Sequence, residues 1–139
     1  MVKVKIIREE PPFLLKGIDE KGHEVYMDSV PKFGGKWAGF RPMHLLLVSL
    51  GGCAVMDVVA ILGKMRQEVE DIKADVTAEP IPNSKPTLFQ KIHVHFIIKG
   101  NIDEEKLKKA LELTMEKYCS VVLTVRPAVP VSYDYELIK

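Results

Sequence analysis

The sequence predicts an α+β fold with a mostly antiparallel sheet, because strand-like segments occur in runs between helices rather than alternating with single helices. Six segments have the composition of strands, most of them with apolar and polar residues in alternation. One further segment is long and apolar nearly all round, and another is shorter and amphipathic. The predicted order is β-β-β-α-β-β-α-β, within a single domain over residues 1–139.

The first three strands are predicted near the N-terminus. Val2–Ile6 alternates with lysines, and Phe13–Leu15 and Glu24–Asp28 follow, joined through the turn-rich Asp19–Gly22. A loop rich in glycine and aromatic residues, Pro31–Arg41, then leads into the long apolar segment. Its composition matches neither the helical nor the strand period, so we expect irregular structure there.

The longest apolar segment is predicted to be a buried central helix from Pro42 to about Gln67. Only Ser49 and Asp57 are polar within Leu45–Gly63, a length close to that of a membrane span. An Asp at mid-span costs about 2.5–3.5 kcal/mol on insertion, and the flanking strands need a shared core, so we expect no membrane partner. A helix that is apolar all round must be covered on every side. We therefore expect a homodimer.

The C-terminal half is predicted to contain three more strands and a surface helix. The helix begins at a capping box of Asn101 and Glu104 and continues to Tyr118. Its predicted inner face consists of Leu107, Ala110, Leu111 and Thr114. The predicted strands are Asp71–Glu79, Ile92–Ile98 and Val129–Leu137.

Composition and motifs limit the class of function. The 20 Lys and Arg against 19 Asp and Glu leave a formal charge of +1, so a nucleic-acid partner is not expected. The N-terminus lacks the continuous apolar stretch of a signal peptide, which favours the reducing cytoplasm and free thiols. There is no P-loop, G-x-G-x-x-G, G-x-S-x-G, H-E-x-x-H or C-x₂₋₄-C motif, and we expect neither cofactor nor metal.

The two cysteines are the main candidates for chemistry. Cys53 lies within the long predicted helix, where an inert core thiol is the common alternative. The preceding Gly51 and Gly52 each cost about 1 kcal/mol relative to Ala in a helix, which indicates either tight helix packing or close approach of a backbone or substrate. Cys119 follows the second helix, and the sequence leaves open whether a further helix starts there and lowers its pKa. Spacing does not show whether the two thiols meet.

The histidines are weaker candidates. His93 and His95 share one face of a predicted strand, where a solvated position is commoner than a metal site. His44 stands nine positions before Cys53, about 180° away on a straight helix. It could reach that thiol only from a second chain.

The long helix resembles the central helix of the OsmC-like family, which comprises osmotically inducible protein C and the organic hydroperoxide resistance proteins. The resemblance is carried by Arg41–Val59, Ile61–Arg66, Tyr118–Val122 and the upstream Phe33–Gly35. The element order also matches. Two motifs in the family's order, each centred on a cysteine, make the resemblance fairly specific over most of the chain.

The resemblance implies an intertwined homodimer that acts as a peroxiredoxin-like hydroperoxide reductase at sites on its interface. Cys53 would attack an organic hydroperoxide, and Cys119 would resolve the resulting sulfenic acid to a disulfide. A thiol reductant, which the sequence does not identify, would restore the pair. Two alternatives stay open: a non-catalytic dimeric module that binds a small apolar ligand, and a thiol redox sensor.

The sequence departs from the family where the thiol is thought to be activated. Characterised members place a glutamate ten positions before the first cysteine, where this chain has Met43 followed by His44. They also supply an arginine from an N-terminal strand. Arg41, just upstream of the helix, and Arg8 are the candidates here. These changes indicate a less characterised branch of the family.

Two further residues bear on the same thiol. Ser120 stands where the family often has a proline after its second cysteine. Asp57 lies one turn after Cys53 and disfavours the thiolate, so we expect a nearby cation to offset it.

Overall fold

The computed structural model describes all 139 residues, which form two compact units, residues 1–46 and 47–139. The α+β class is confirmed: six strands form two three-stranded sheets, accompanied by three α-helices. The strands and the two longer helices follow the predicted order, with one short helix added before the last strand. The single domain over residues 1–139 stays a prediction.

The first unit contains an antiparallel sheet in the order β1-β2-β3. Its strands are β1 (Lys5–Glu10), β2 (Leu14–Ile18) and β3 (Glu24–Met27). The strand predicted at residues 2–6 is displaced, because β1 pairs with β2 from Lys5 onward and all of β1 is exposed. Alternation alone therefore placed this strand too early.

The loop after β3 folds around the buried carboxylate of Asp28. This carboxylate accepts hydrogen bonds from the backbone N–H groups of Ser29 (2.7 Å), Lys36 (3.1 Å) and Ala38 (3.2 Å). Burial raises the pKa of Asp28, but these three donors outweigh it and lower the pKa below the ordinary value. A Cβ at Gly35 would lie 1.8 Å from the carbonyl oxygen of Ser29, so only glycine fits there.

The long helix α1 runs over Pro42–Lys64 and ends earlier than the predicted Gln67. Arg66 adopts a left-handed conformation with φ of 61°. The N–H of Gln67 donates to the carbonyl of Leu62 (2.8 Å), and that of Arg66 donates to Gly63 (3.0 Å). These two bonds form a Schellman motif. Sequence reasoning missed it because glycine usually occupies the left-handed position.

The second unit contains a mixed sheet in the order β4-β5-β6. Its strands are β4 (Asp71–Pro80), β5 (Phe89–Lys99) and β6 (Val131–Ile138). β4 and β5 are antiparallel, whereas β5 and β6 are parallel. A parallel pair needs a long crossover connection, and the helices between β5 and β6 provide it.

One stripe of α1 belongs to the core of the second unit. Its fully buried residues are Leu50, Ala54, Val58 and Leu62, which join a core cluster with Ile92, Val94, Phe96 and Ile98 of β5. A Cβ at Gly51 would lie 2.7 Å from Cγ2 of Val76 on β4, so tight packing explains this glycine. A Cβ at Gly52 would meet nothing within 4 Å. The chain itself gives no reason for the second glycine.

The opposite side of α1 is apolar and uncovered within the chain. Val48, Met56 and Val59 are 49%, 73% and 40% exposed. By length and composition alone α1 could cross a membrane. The core helix of a globular protein meets the same criterion. In α1, 28% of the most apolar stretch is buried. Within one chain, therefore, α1 is not buried on every side, and the homodimer that would cover it stays a prediction.

The connection between β5 and β6 consists of three helical pieces. They are α2 (Glu104–Leu113), a π-helical turn (Thr114–Tyr118) and α3 (Ser120–Val125). The predicted inner face of α2 is confirmed as buried: Leu107, Ala110, Leu111 and Thr114. The predicted capping box of Asn101 and Glu104 is wrong, because Asp103 precedes the helix without a side-chain capping bond.

The two histidines of β5 join a ladder of side chains on the polar face of the parallel pair. His93 contacts Ser132 and Asp134, each at 2.7 Å, and His95 contacts Asp134 (2.7 Å) and Glu136 (2.9 Å). The hydrogen bonds that the His95 ring donates to Glu136, and next to Asp134, raise the pKa of His95 because they stabilise its charged form. Both rings are thus engaged by β6 side chains, an arrangement that ties the two strands together.

Candidate functional site

The structure brings together two cysteines from distant parts of the sequence. Cys53 lies on α1, Asp57 follows one turn later, and Cys119 lies between the π-helical turn and α3. The two sulfur atoms and a carboxylate oxygen of Asp57 lie within 4.8 Å of one another. All three residues belong to the second unit. Their proximity is a tertiary contact that spacing along the chain did not reveal.

Cys119 is held at a junction between two helical segments. Its N–H donates to the carbonyl of Thr114 (2.8 Å), and its own carbonyl accepts from the N–H of Leu123 (2.9 Å). The side chain is fully buried. Burial raises the pKa of Cys119 to about 11, since the N–H of Val122 offsets only part of it. At neutral pH this residue is therefore a thiol.

Cys53 is half-buried, and its pKa is shifted downward, opposite to that of Cys119. Burial raises its pKa, but hydrogen bonds from the backbone of Val121 and from the side chains of Cys119 and Ser120 together lower it below the ordinary value. The Ser120 Oγ lies 3.8 Å from the Cys53 Sγ. The charge of Asp57 opposes this effect. Cys53 is accordingly the better nucleophile of the two.

The groups that favour the Cys53 thiolate are thus hydrogen-bond donors, where the sequence led us to expect a cation. Arg8, Arg41 and His44, the predicted thiol-activating residues, all belong to the first unit together with Met43. Their role stays a prediction. In the sequence, Ser120 stands out only as a departure from a family proline, and its role as a hydrogen-bond donor was not predicted. The one signal for that role is a hydroxyl residue directly after Cys119.

The Ser120 hydroxyl is predicted to increase the reactivity of Cys53. In reduced, chelator-treated protein, Ser120→Ala is expected to slow alkylation of Cys53 at pH 7 by roughly threefold to tenfold, because a lost hydrogen bond to a thiolate shifts the pKa by up to about one unit. The pKa rises, so the difference should vanish at high pH, where both proteins are fully ionised. Alkylation rates across a pH series measure this effect.

Thr124→Ala is the matched control for that measurement. Thr124 also carries an exposed hydroxyl on α3, but it donates to the carbonyl of Ser120 (2.7 Å). It should leave the pH profile of Cys53 unchanged. Identical profiles for Ser120→Ala and the unaltered chain would contradict the assignment.

The first unit contains a cavity of about 510 Å³. Most of its walls are apolar, and its polar residues are Asp28, Ser29 and Arg41. The volume lies within the range of small-molecule sites. Arg41 and Met43, two of the positions singled out in the sequence, line this cavity.

Comparisons with known proteins agree with this architecture. A family model described as OsmC-like protein matches residues 33–134. Protein YhfA of Escherichia coli (strain K12) is 37% identical over 123 residues, which cover 88% of each chain. The structure is similar to an OsmC-like protein from Mycoplasma pneumoniae, with a TM-score of 0.84 and 17% identity over 100% of this chain and 98% of that one. It is also similar to the organic hydroperoxide resistance protein OhrB of Bacillus subtilis, with a TM-score of 0.64 and 16% identity over 98% of each.

Proposed function

Since this chain belongs to the OsmC-like protein family, we propose that it is a thiol-dependent peroxidase that reduces organic hydroperoxides. The observation that carries the proposal is the pair of sulfur atoms, Cys53 and Cys119, within 4.8 Å of each other and with pKa values shifted in opposite directions. In such a pair one cysteine is the thiolate that attacks the hydroperoxide, and the other is a thiol that later resolves the sulfenic acid. The structural similarity to the organic hydroperoxide resistance protein OhrB supports the same class of substrate.

In the first step the Cys53 thiolate attacks the terminal oxygen of the hydroperoxide. The O–O bond breaks, the alkoxide takes a proton and leaves as an alcohol, and Cys53 becomes a sulfenic acid. The sulfur gives two electrons in this step. Hydrogen bonds from Val121 and Ser120 support it, because they stabilise the anionic sulfur before attack.

In the second step the Cys119 sulfur attacks the Cys53 sulfenic acid. The S–O bond breaks, an S–S bond forms, and the hydroxide leaves as water with the proton of Cys119. A disulfide requires an S–S distance of about 2.05 Å, so the two side chains must approach from their positions within 4.8 Å. An external dithiol then returns two electrons and restores both thiols.

The burial of Cys119 supports its role as the resolving residue. A fully buried thiol with a raised pKa reacts poorly with peroxide from solvent. It is therefore preserved for the sulfenic acid that forms beside it. Rapid resolution protects Cys53 from further oxidation to sulfinic acid.

The active form is proposed to be a homodimer. Val48, Met56 and Val59 are exposed on the side of α1 that faces away from the core. A second copy of the chain would cover this apolar face.

Hydroperoxide consumption in the presence of a dithiol tests the proposal. The unaltered chain is expected to consume cumene hydroperoxide continuously and Cys53→Ser to show only the buffer rate, while Thr124→Ala keeps the full rate. Consumption by Cys53→Ser as fast as by the unaltered chain would refute the mechanism. A single equivalent consumed despite excess dithiol would favour the thiol sensor, and no thiol reaction would favour the ligand-binding module.

A further inference from the structure

Three potential metal donors converge at the cysteine pair. The sulfur atoms of Cys53 and Cys119 and a carboxylate oxygen of Asp57 lie within 4.8 Å of one another. In a tetrahedral zinc site, bond lengths of about 2.3 Å to sulfur and 2.0–2.2 Å to oxygen place neighbouring donors roughly 3.6–3.8 Å apart. Each pair of donors therefore needs to approach by no more than about 1.2 Å. Small side-chain rotations supply a movement of that size.

The chemistry of these donors favours a thiophilic cation. Thiolates are soft ligands that select zinc and related metals over magnesium or calcium. Two thiolates and a carboxylate also concentrate negative charge, which a divalent cation neutralises. Cys53 and Asp57 are each partly exposed, so an ion can reach the cluster from solvent.

We propose that the reduced chain binds one thiophilic divalent cation, such as Zn²⁺, through Cys53, Asp57 and Cys119. Three protein donors leave the fourth tetrahedral position open for water. The Ser120 hydroxyl, 3.8 Å from the Cys53 sulfur, lies beside the same cluster.

Metal and disulfide compete for the same sulfur electron pairs. A zinc-bound pair of thiolates cannot form the S–S bond, so zinc should slow the reaction of Cys53 with hydroperoxide. Conversely, once a hydroperoxide has taken two electrons from the pair and left as alcohol and water, the disulfide keeps no thiolate ligand and the cation dissociates. This second consequence rests on the proposed peroxidase function, whereas binding of the cation does not.

Zinc titration of the reduced, chelator-treated full chain, in competition with a chromophoric chelator and without peroxide, tests the site. We expect one Zn²⁺ per chain, and a loss of affinity of at least about tenfold in Cys53→Ser, Cys119→Ser and Asp57→Asn. Asp57→Asn is the most informative variant because it keeps both thiols. Asp75→Asn, which alters an exposed carboxylate on β4, is the control and should bind as the unaltered chain does.

A second measurement avoids substitution of the buried Cys119. Unaltered protein oxidised with diamide to its disulfide should lose zinc binding and regain it after reduction. Absence of saturable binding at micromolar Zn²⁺, or affinity unchanged in Asp57→Asn or after oxidation, would overturn the proposal. Either result leaves the peroxidase assay, run with chelator present, as an independent test of the proposed function.

Discussion

A Cys119→Ser variant is expected to consume about two equivalents of organic hydroperoxide per chain and then stop. Cys53 can still attack the hydroperoxide in this variant, but its sulfenic acid has no second sulfur within 4.8 Å to resolve it. Further hydroperoxide should oxidise it to sulfinic acid, which a dithiol does not reverse. Peroxide consumption by protein that has been reduced and then freed of dithiol, followed by mass spectrometry of the intact chain, measures both effects. The mass should increase by two oxygen atoms.

The control separates loss of chemistry from loss of folding. Cys119 is fully buried, so a hydroxyl there carries a cost in stability. Cys119→Ala avoids the polar group and should show the same limited consumption and the same product. Thermal unfolding followed by circular dichroism identifies any variant that fails to fold. In a separate assay with dithiol present, turnover by a folded Cys119 variant at the unaltered rate would show that Cys119 does not resolve the sulfenic acid.

Local sequence patterns predicted the segments in which buried and exposed residues recur with a regular period. Ile72, Val76 and Ala78 are partly buried along β4, as their alternation indicates, because the strand has one covered face. The inner face of α2 was predicted for the same reason. In each case a single packed surface imposes its period on the sequence.

Features set by tertiary contacts or by unusual backbone choices were not predicted. Arg66 ends α1 in a left-handed conformation that sequence rules assign to glycine. The π-helical turn at Thr114–Tyr118 interrupts a continuous helical pattern, and no residue in it marks the change. The parallel pairing of β5 with β6 depends on the crossover, not on either strand's own sequence.

In the candidate site, too, some features could be predicted from the sequence and others depend on tertiary contacts. Both cysteines could be selected from the sequence by type and by the motifs around them. One of the groups that lower the pKa of Cys53 is the backbone N–H of Val121. Every non-proline residue carries such a group. A donor of this kind leaves no mark in composition or spacing, so its role became visible only in the folded chain.

A Met56→Asp variant is expected to dissociate the proposed homodimer. Met56 is 73% exposed within the chain, so a carboxylate there should leave the folded chain itself almost unaffected. In a two-fold dimer the same position occurs on both copies, and each desolvated carboxylate costs several kcal/mol. The dissociation constant should therefore rise by at least about 100-fold, since 1.4 kcal/mol corresponds to tenfold.

Sedimentation equilibrium of the reduced protein measures that change directly. Leu88→Asp is the matched control, because this substitution introduces the same charge away from α1. Leu88 is 51% exposed on the loop between β4 and β5. It should sediment as the unaltered dimer does, at twice the 15.7 kDa of one chain. If Met56→Asp also remains a dimer, the exposed face of α1 is not the contact between copies. If the unaltered chain sediments as a monomer, the pairing itself is refuted, and the apolar side of α1 must be covered by something other than a second copy.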